Sequence, residues 1–279
     1  MFGIYQMGFS DLSTCMGEGI DIKMGSKEHP LGEVHESAAP ILLSLGITFT
    51  LGGLLLLPLA ALGLPLLIFS LQKWVREDVG LWKYRKETDA HEWGDARWAM
   101  VWIIITEVII FASFFAFWFW ARWHTIHWEG AVGGLWPAAG VEHNLQLVTV
   151  NTLILVSSGV FAHKALDNLV TGKVTSARNM FIATVILGLT FLIIQLYEYS
   201  QAGFLWGDHA YGTAFFSLTG LHGLHVLVGL ICFMVSLVLL NKGYYSPTHN
   251  DSLHAIVYYW HFVDVIWILL YLIVYLEVI

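Results

Sequence analysis

The chain has 279 residues, 57% of them hydrophobic and only 12% charged, with a mean hydropathy of +0.67. That composition excludes a soluble domain and indicates a polytopic membrane protein. The formal net charge of −8 excludes an obvious nucleic-acid surface. The distant Cys15 and Cys232, one of them in an apolar run, exclude a disulfide framework or a thiolate metal site.

The first 37 residues are polar and contain glycine. They lack a cationic start followed by an apolar core, so no cleaved signal is expected. The apolar stretch from Ser37 to Leu71 is too long for one helix across a ~30 Å hydrocarbon core at ~1.5 Å per residue. Pro58 and the glycines at 52, 53 and 63 divide it into helices expected at 38–56 and 59–75. A charged loop is expected from Lys73 to Arg97. Further spans are expected at 99–121, 145–166, 180–200, 212–240 and 255–277, which makes seven. The organisation is then a polar segment 1–37, two helices in 38–75, a loop 76–98 and a five-helix bundle 99–279.

Twelve of the thirteen Lys and Arg fall on one side of this arrangement, and only Arg122 on the other. The positive-inside rule puts the N-terminus in the cytoplasm and the C-terminus outside. Trp118, Trp120, Trp123, Trp128 and Trp136 are expected to form an interfacial aromatic belt.

Polar residues inside the spans carry the functional signal, because water is absent at that depth. Glu107 sits among Ile103, Ile104, Ile110 and Phe111. It is a candidate proton-handling group or an anchor for lipid or a neighbouring helix, and equally a hydrogen-bonding structural acid. Asn151, Thr152, Ser157, Ser158, Gly159 and His163 mark the fourth span as interhelical glue. Gln195 shares a face with Glu198 and with Tyr199. In the sixth span His222 and His225 are three residues apart on one face, and Gly212, Thr219, Gly220 and Gly223 leave room for a neighbour. His261 and Asp264 pair on the last span, where Trp260, Asp264, Trp267 and Tyr271 form a second stripe. The spacing of His222 and His225 could place two metal ligands on one helix, but no carboxylate–histidine cluster accompanies them. No metal site is therefore expected.

These features occur in an order that resembles subunit III of the haem–copper oxidases, the cytochrome c and quinol oxidase family. Thr106-Glu107-Val108-Ile109-Ile110-Phe111 is similar to its third-helix motif, and Asn151 through Gly159 with His163 to its fourth. Gln195-Leu196-Tyr197-Glu198-Tyr199 is similar to the fifth. Tyr211-Gly212 through His225-Val226 is similar to the sixth, and Tyr259 through Trp267 to the seventh. Together they cover Thr106 to Tyr271.

The resemblance implies an all-α, seven-helix membrane bundle, split two plus five by a lipid-filled cleft. It implies a chain with no redox centre, associated with phospholipids and packed on an oxidase subunit I that bears haem and copper, with subunit II also in the complex. Its role would be to stabilise subunit I and support proton uptake and oxygen access. Glu107 becomes a cleft-facing carboxylate, while His163, Glu198, His222, His225, His261 and Asp264 become polar ties. Trp74, Arg76 and His91 become lipid headgroup contacts. Lys73-Trp74-Val75-Arg76-Glu77-Asp78 departs from the family's Trp-Trp-Arg-Asp pattern, Lys242 stands in for a cation near the inner end of helix six, and His254 replaces a carboxylate before helix seven. The N-terminal segment and the nearly fused first spans favour a prokaryotic plasma membrane over the mitochondrial inner membrane. Two other readings stand beside this one: a proton or solute transporter acting alone, and an accessory subunit of a nitric oxide reductase.

Overall fold

The computed structural model describes residues 37–53, 56–88, 95–127, 136–137 and 143–276. The described residues form seven α-helices and one π-helical turn. In order these are α1 (Ala39–Gly52), α2 (Leu57–Thr88), α3 (Asp95–His127), α4 (Leu145–Val170), α5 (Val174–Gln201), α6 (Ala210–Asn241) and α7 (Asp251–Leu270), continued by a π-turn (Tyr271–Tyr275). Six of the helices are long and apolar enough to cross a membrane, while α1 has 14 residues. The architecture is that of a helical membrane protein.

The chain divides into two units, residues 1–91 and 92–279. In the first, α1 and α2 form a tight antiparallel hairpin. A Cβ on Gly46 would lie 2.8 Å from the Leu67 backbone nitrogen, and those on Gly63 and Gly53 closer still to Thr50 and Ala60. Small residues let the two backbones meet, as they do at membrane helix interfaces. At the polar end the Ser37 hydroxyl donates to Glu77 Oε2 at 2.6 Å, and Lys73 pairs with Glu77. The expected loop from Lys73 does not begin there, because α2 runs on in helix to Thr88. Lys, Glu, Arg and Trp between 72 and 88 have adequate helix propensity, and a charged sequence leaving the membrane need not unwind.

In the second unit α7 packs against α3, α4 and α6, while α4 pairs with α5. The expected spans are present but longer, because helical propensity continues past the apolar core. Caps set several boundaries. The Asn144 side chain accepts from the Leu147 N–H at 3.1 Å, and His209 Nδ1 accepts from the Gly212 N–H at 2.8 Å. Gly172 (φ 79°) and Gly243 (φ 72°) end α4 and α6 in the left-handed region. There the next N–H groups, of Lys173 and Tyr244, return to Asn168 and Leu239.

The aromatic belt is only partly as expected. Trp120 and Trp123 are exposed, but Trp118 is fully buried. It meets Trp136 edge-on at 4.9 Å and Tyr211 at 5.3 Å, and so belongs to the core of the bundle. Trp128 lies outside the described residues.

A buried polar network as the candidate functional site

Between α4 and α7 the polar groups form a ladder. Thr149, Thr152 and Ser158 each donate their hydroxyl hydrogen back to a carbonyl of α4, those of Leu145, Val148 and Leu155. Each oxygen is thereby left as an acceptor. Across the interface Tyr271 lies 2.7 Å from Thr149 Oγ1, Trp267 Nε1 donates to Thr152 at 2.9 Å, and Trp260 Nε1 donates to Ser158 at 2.9 Å. The α7 stripe and the α4 hydroxyls, read separately in the sequence, are two halves of one antiparallel contact. Tyr199 repeats the logic between α5 and α6, donating at 2.8 Å to Thr219, which donates to the Phe215 carbonyl.

Glycines clear the space for these rings, but Gly220 and Gly223, beside His222, are not among them. Around Gly220 there is open space, and Gly223 meets only Leu192 at 4.0 Å. The close approaches are at Gly188 and Gly229, whose Cβ positions would lie 2.7 Å from Leu230 and 2.6 Å from the Trp260 ring. Gly159 makes room for the Asp264 carboxylate. Glycine spacing alone could not reveal this, because the partner ring is remote in sequence.

About two-fifths of the way along α3, Glu107 Oε2 lies 2.9 Å from His225 Nε2 of α6. The other ring nitrogen, Nδ1, is 2.8 Å from the Leu221 carbonyl, which can only accept. Nδ1 therefore carries a hydrogen, and the Nε2–Oε2 contact holds one proton, either on the acid or on the imidazole. The pair is neutral in both forms, which suits its depth. Phe111 and Tyr259 flank the ring, and the Tyr259 hydroxyl donates to the His225 carbonyl at 3.3 Å.

His222, although one turn away, faces elsewhere. Its Nε2 donates to the Val263 carbonyl of α7 at 3.2 Å, and its ring packs on Trp267 and Phe191. The shared face of the two histidines thus serves two neighbours, because a three-residue step turns the helix by ~60°.

The α5–α6 end of the bundle holds a cluster around Glu198. Its Oε2 accepts from Gln195 Nε2 at 2.8 Å and from the Tyr275 hydroxyl at 3.1 Å. His143 brings Nδ1 to 3.6 Å from Oε1 and Nε2 to 2.6 Å from the Tyr211 hydroxyl. His143, Tyr211 and Tyr275 were not among the expected site residues. Tyr275 is aimed inward only by the π-turn, and His143 stands outside any span, so periodicity could not reveal either.

Two expected ties are shallower than a buried network requires. His163 is 60% exposed, 3.8 Å from Asp167 on its own helix, with its ring 5.8 Å from that of His261. His261 itself is 43% exposed and 3.6 Å from the buried Asp264 carboxylate, so the expected pair has one accessible partner. Trp74 and Arg76 are exposed on α2, and Arg76 lines a hollow of about 280 Å³ with Phe69, Gln72, Lys73 and Glu77. His91 lies outside the described residues. Among the described residues no three His, Cys, Asp or Glu side chains group closely enough to hold a metal ion.

Long apolar helices whose intramembrane polar groups bind one another define a polytopic helical membrane protein. Over residues 29–278 the chain matches the family described as Cytochrome c oxidase subunit III. It is 33% identical to a cytochrome c oxidase subunit 3 of Paracentrotus lividus over 264 residues, 90% of this chain and 98% of that one. A protein of the same name from Drosophila melanogaster is 34% identical, with 88% of this chain and 96% of that one covered. The Mus musculus protein of that name is 34% identical over 78% and 83% of the two chains. The chain belongs to the cytochrome c oxidase subunit III family, and so to a multi-subunit oxidase complex.

Proposed function

We propose that the chain is the subunit of a proton-pumping terminal oxidase that carries no redox centre and stabilises its catalytic partner. The observation that carries this is how the intramembrane polar groups are used. Glu107 with His225, His222 Nε2 with Val263, and Trp260 and Trp267 with α4 hydroxyls each hydrogen-bond within the bundle. Haem and copper would belong to a subunit I packed on this chain, with subunit II in the same complex and O₂ reduced to water there. Glu107 and its shared proton would support proton uptake by that partner. Purification of the intact complex tests the reading. This chain should co-purify with a haem-bearing subunit while the isolated chain shows no Soret band; its absence from every oxidase preparation, or haem in the pure chain, overturns it.

The seven-span, two-plus-five arrangement is part of the proposal. α1 is short, yet Ser37 meets Glu77 at one end and Gly53 meets Ala60 at the other. α1 therefore lies along nearly the whole apolar window of α2, Pro58–Glu77, which supports a crossing beside it. Trp74 and Arg76, beside the hollow lined with Lys73, would hold a phospholipid headgroup by charge and an amphipathic ring. The excess of cations on one side supports a cytoplasmic N-terminus. The polar N-terminal segment favours a prokaryotic plasma membrane, and the animal relatives make the mitochondrial inner membrane the second location.

A further inference from the structure

We propose that His143 and Glu198 form a proton-operated clasp that fastens the segment entering α4 to the ends of α5, α6 and the π-turn. The inference stands on the bundle's own geometry and does not depend on the oxidase reading. Glu198 is 7% exposed, and its two oxygens are unequally served. Oε2 receives Gln195 and Tyr275, whereas Oε1 is buried without a hydrogen bond and faces His143 Nδ1 at 3.6 Å. A buried acceptor left unpaired is costly, so it calls for an explanation such as another state that uses it or a water that reaches it. The imidazole is the group placed to use it.

His143 is held flat for that task. Its ring stacks on Phe215 at 5.1 Å and is bounded edge-on by Tyr275 at 5.2 Å and Phe204 at 6.5 Å. With neutral imidazole, Tyr211 donates to Nε2 and the Nδ1–H points at the carboxylate across a distance too long for a good bond. On protonation both nitrogens donate, Tyr211 becomes the acceptor, and a charge-assisted bond to Oε1 closes. A movement of less than ~1 Å suffices, since charged N–H···O contacts close to ~2.8 Å. The titratable groups facing His143 are Glu198 from α5, Tyr211 from α6 and Tyr275 from the π-turn. From the α5–α6 connection His209 faces Tyr211 at 6.1 Å. His209 Nδ1 is occupied as the α6 cap, so its protonation would loosen that end instead of tightening it.

The test is hydrogen–deuterium exchange of the full chain in lipid nanodiscs, with intrinsic rates corrected, from about pH 5 to 8. Backbone amides at 143–148 should exchange roughly five- to tenfold more slowly at the acid end. His143→Gln keeps a flat polar side chain and should abolish the pH dependence, as should Glu198→Gln. His209→Asn retains a capping side chain and should leave it intact. Protection that varies with pH equally in His143→Gln, or that disappears in His209→Asn, overturns the clasp. No pH dependence in the parent overturns it too.

Discussion

The face of the Trp260 ring occupies the space that a side chain on Gly229 would need, with only 2.6 Å between the ring and a Cβ built there. The same ring touches the Gly188 position and donates to Ser158 at 2.9 Å, so one residue of α7 ties α4, α5 and α6 together. Gly229→Ala should therefore destabilise the bundle by about 1–3 kcal/mol through overpacking. Gly220→Ala, with open space around it, should be neutral or slightly stabilising. Thermal unfolding of the two variants in the same detergent checks the contrast; equal losses would refute this account of the packing.

Thr152→Val removes the acceptor of the Trp267 indole while keeping the side chain's shape. The donor is then stranded at a dry interface, and the loss should be about 1 kcal/mol, within the range measured for membrane hydrogen bonds. Thr152→Ser should retain most of the stability. A double-mutant cycle with Trp267→Phe gives the coupling directly, and a value near zero would mean the ladder contributes shape alone.

Glu107→Gln should preserve assembly, because the amide can still meet His225 Nε2. The exchangeable proton between them is lost. In the assembled oxidase, slower proton uptake at high pH or a shorter catalytic lifetime is expected. Unchanged turnover and lifetime across the pH range would make the pair purely structural.

The short α1 makes a topological statement that cysteine labelling can check. Ser37→Cys should react from the same side as cysteine placed near Glu77, and Leu56→Cys from the opposite side. Labelling of both from one side would show that α1 dips into the bilayer and returns.

Much of the α4–α7 contact could be read in the sequence, since both its stripes repeat at helical spacing. What the sequence hid was the pairing: a hydroxyl bonded back to its own helix looks like any small residue until the facing donor is known. Gly220 and Gly223 lie next to His222 but meet little, whereas Gly188 and Gly229 are packed by a ring more than thirty residues from the nearer of them. Helix ends were misplaced for a related reason. Hydropathy marks where the bilayer stops, whereas α2 and α3 stay helical beyond it because nothing in their charged continuations breaks the backbone.

The widened turn at Tyr271–Tyr275 closes its ring from the Leu276 N–H to the Tyr271 carbonyl, five residues back. Such a turn behaves as one extra residue inserted into a helix. Tyr271 can thus answer α4 while Tyr275, a single turn later, reaches Glu198 on α5. Removing any one residue from this segment would restore regular winding, swing the Tyr275 phenol away from the carboxylate, and leave the interior acid to Gln195 and His143. Length here, more than side-chain identity, sets where that phenol points.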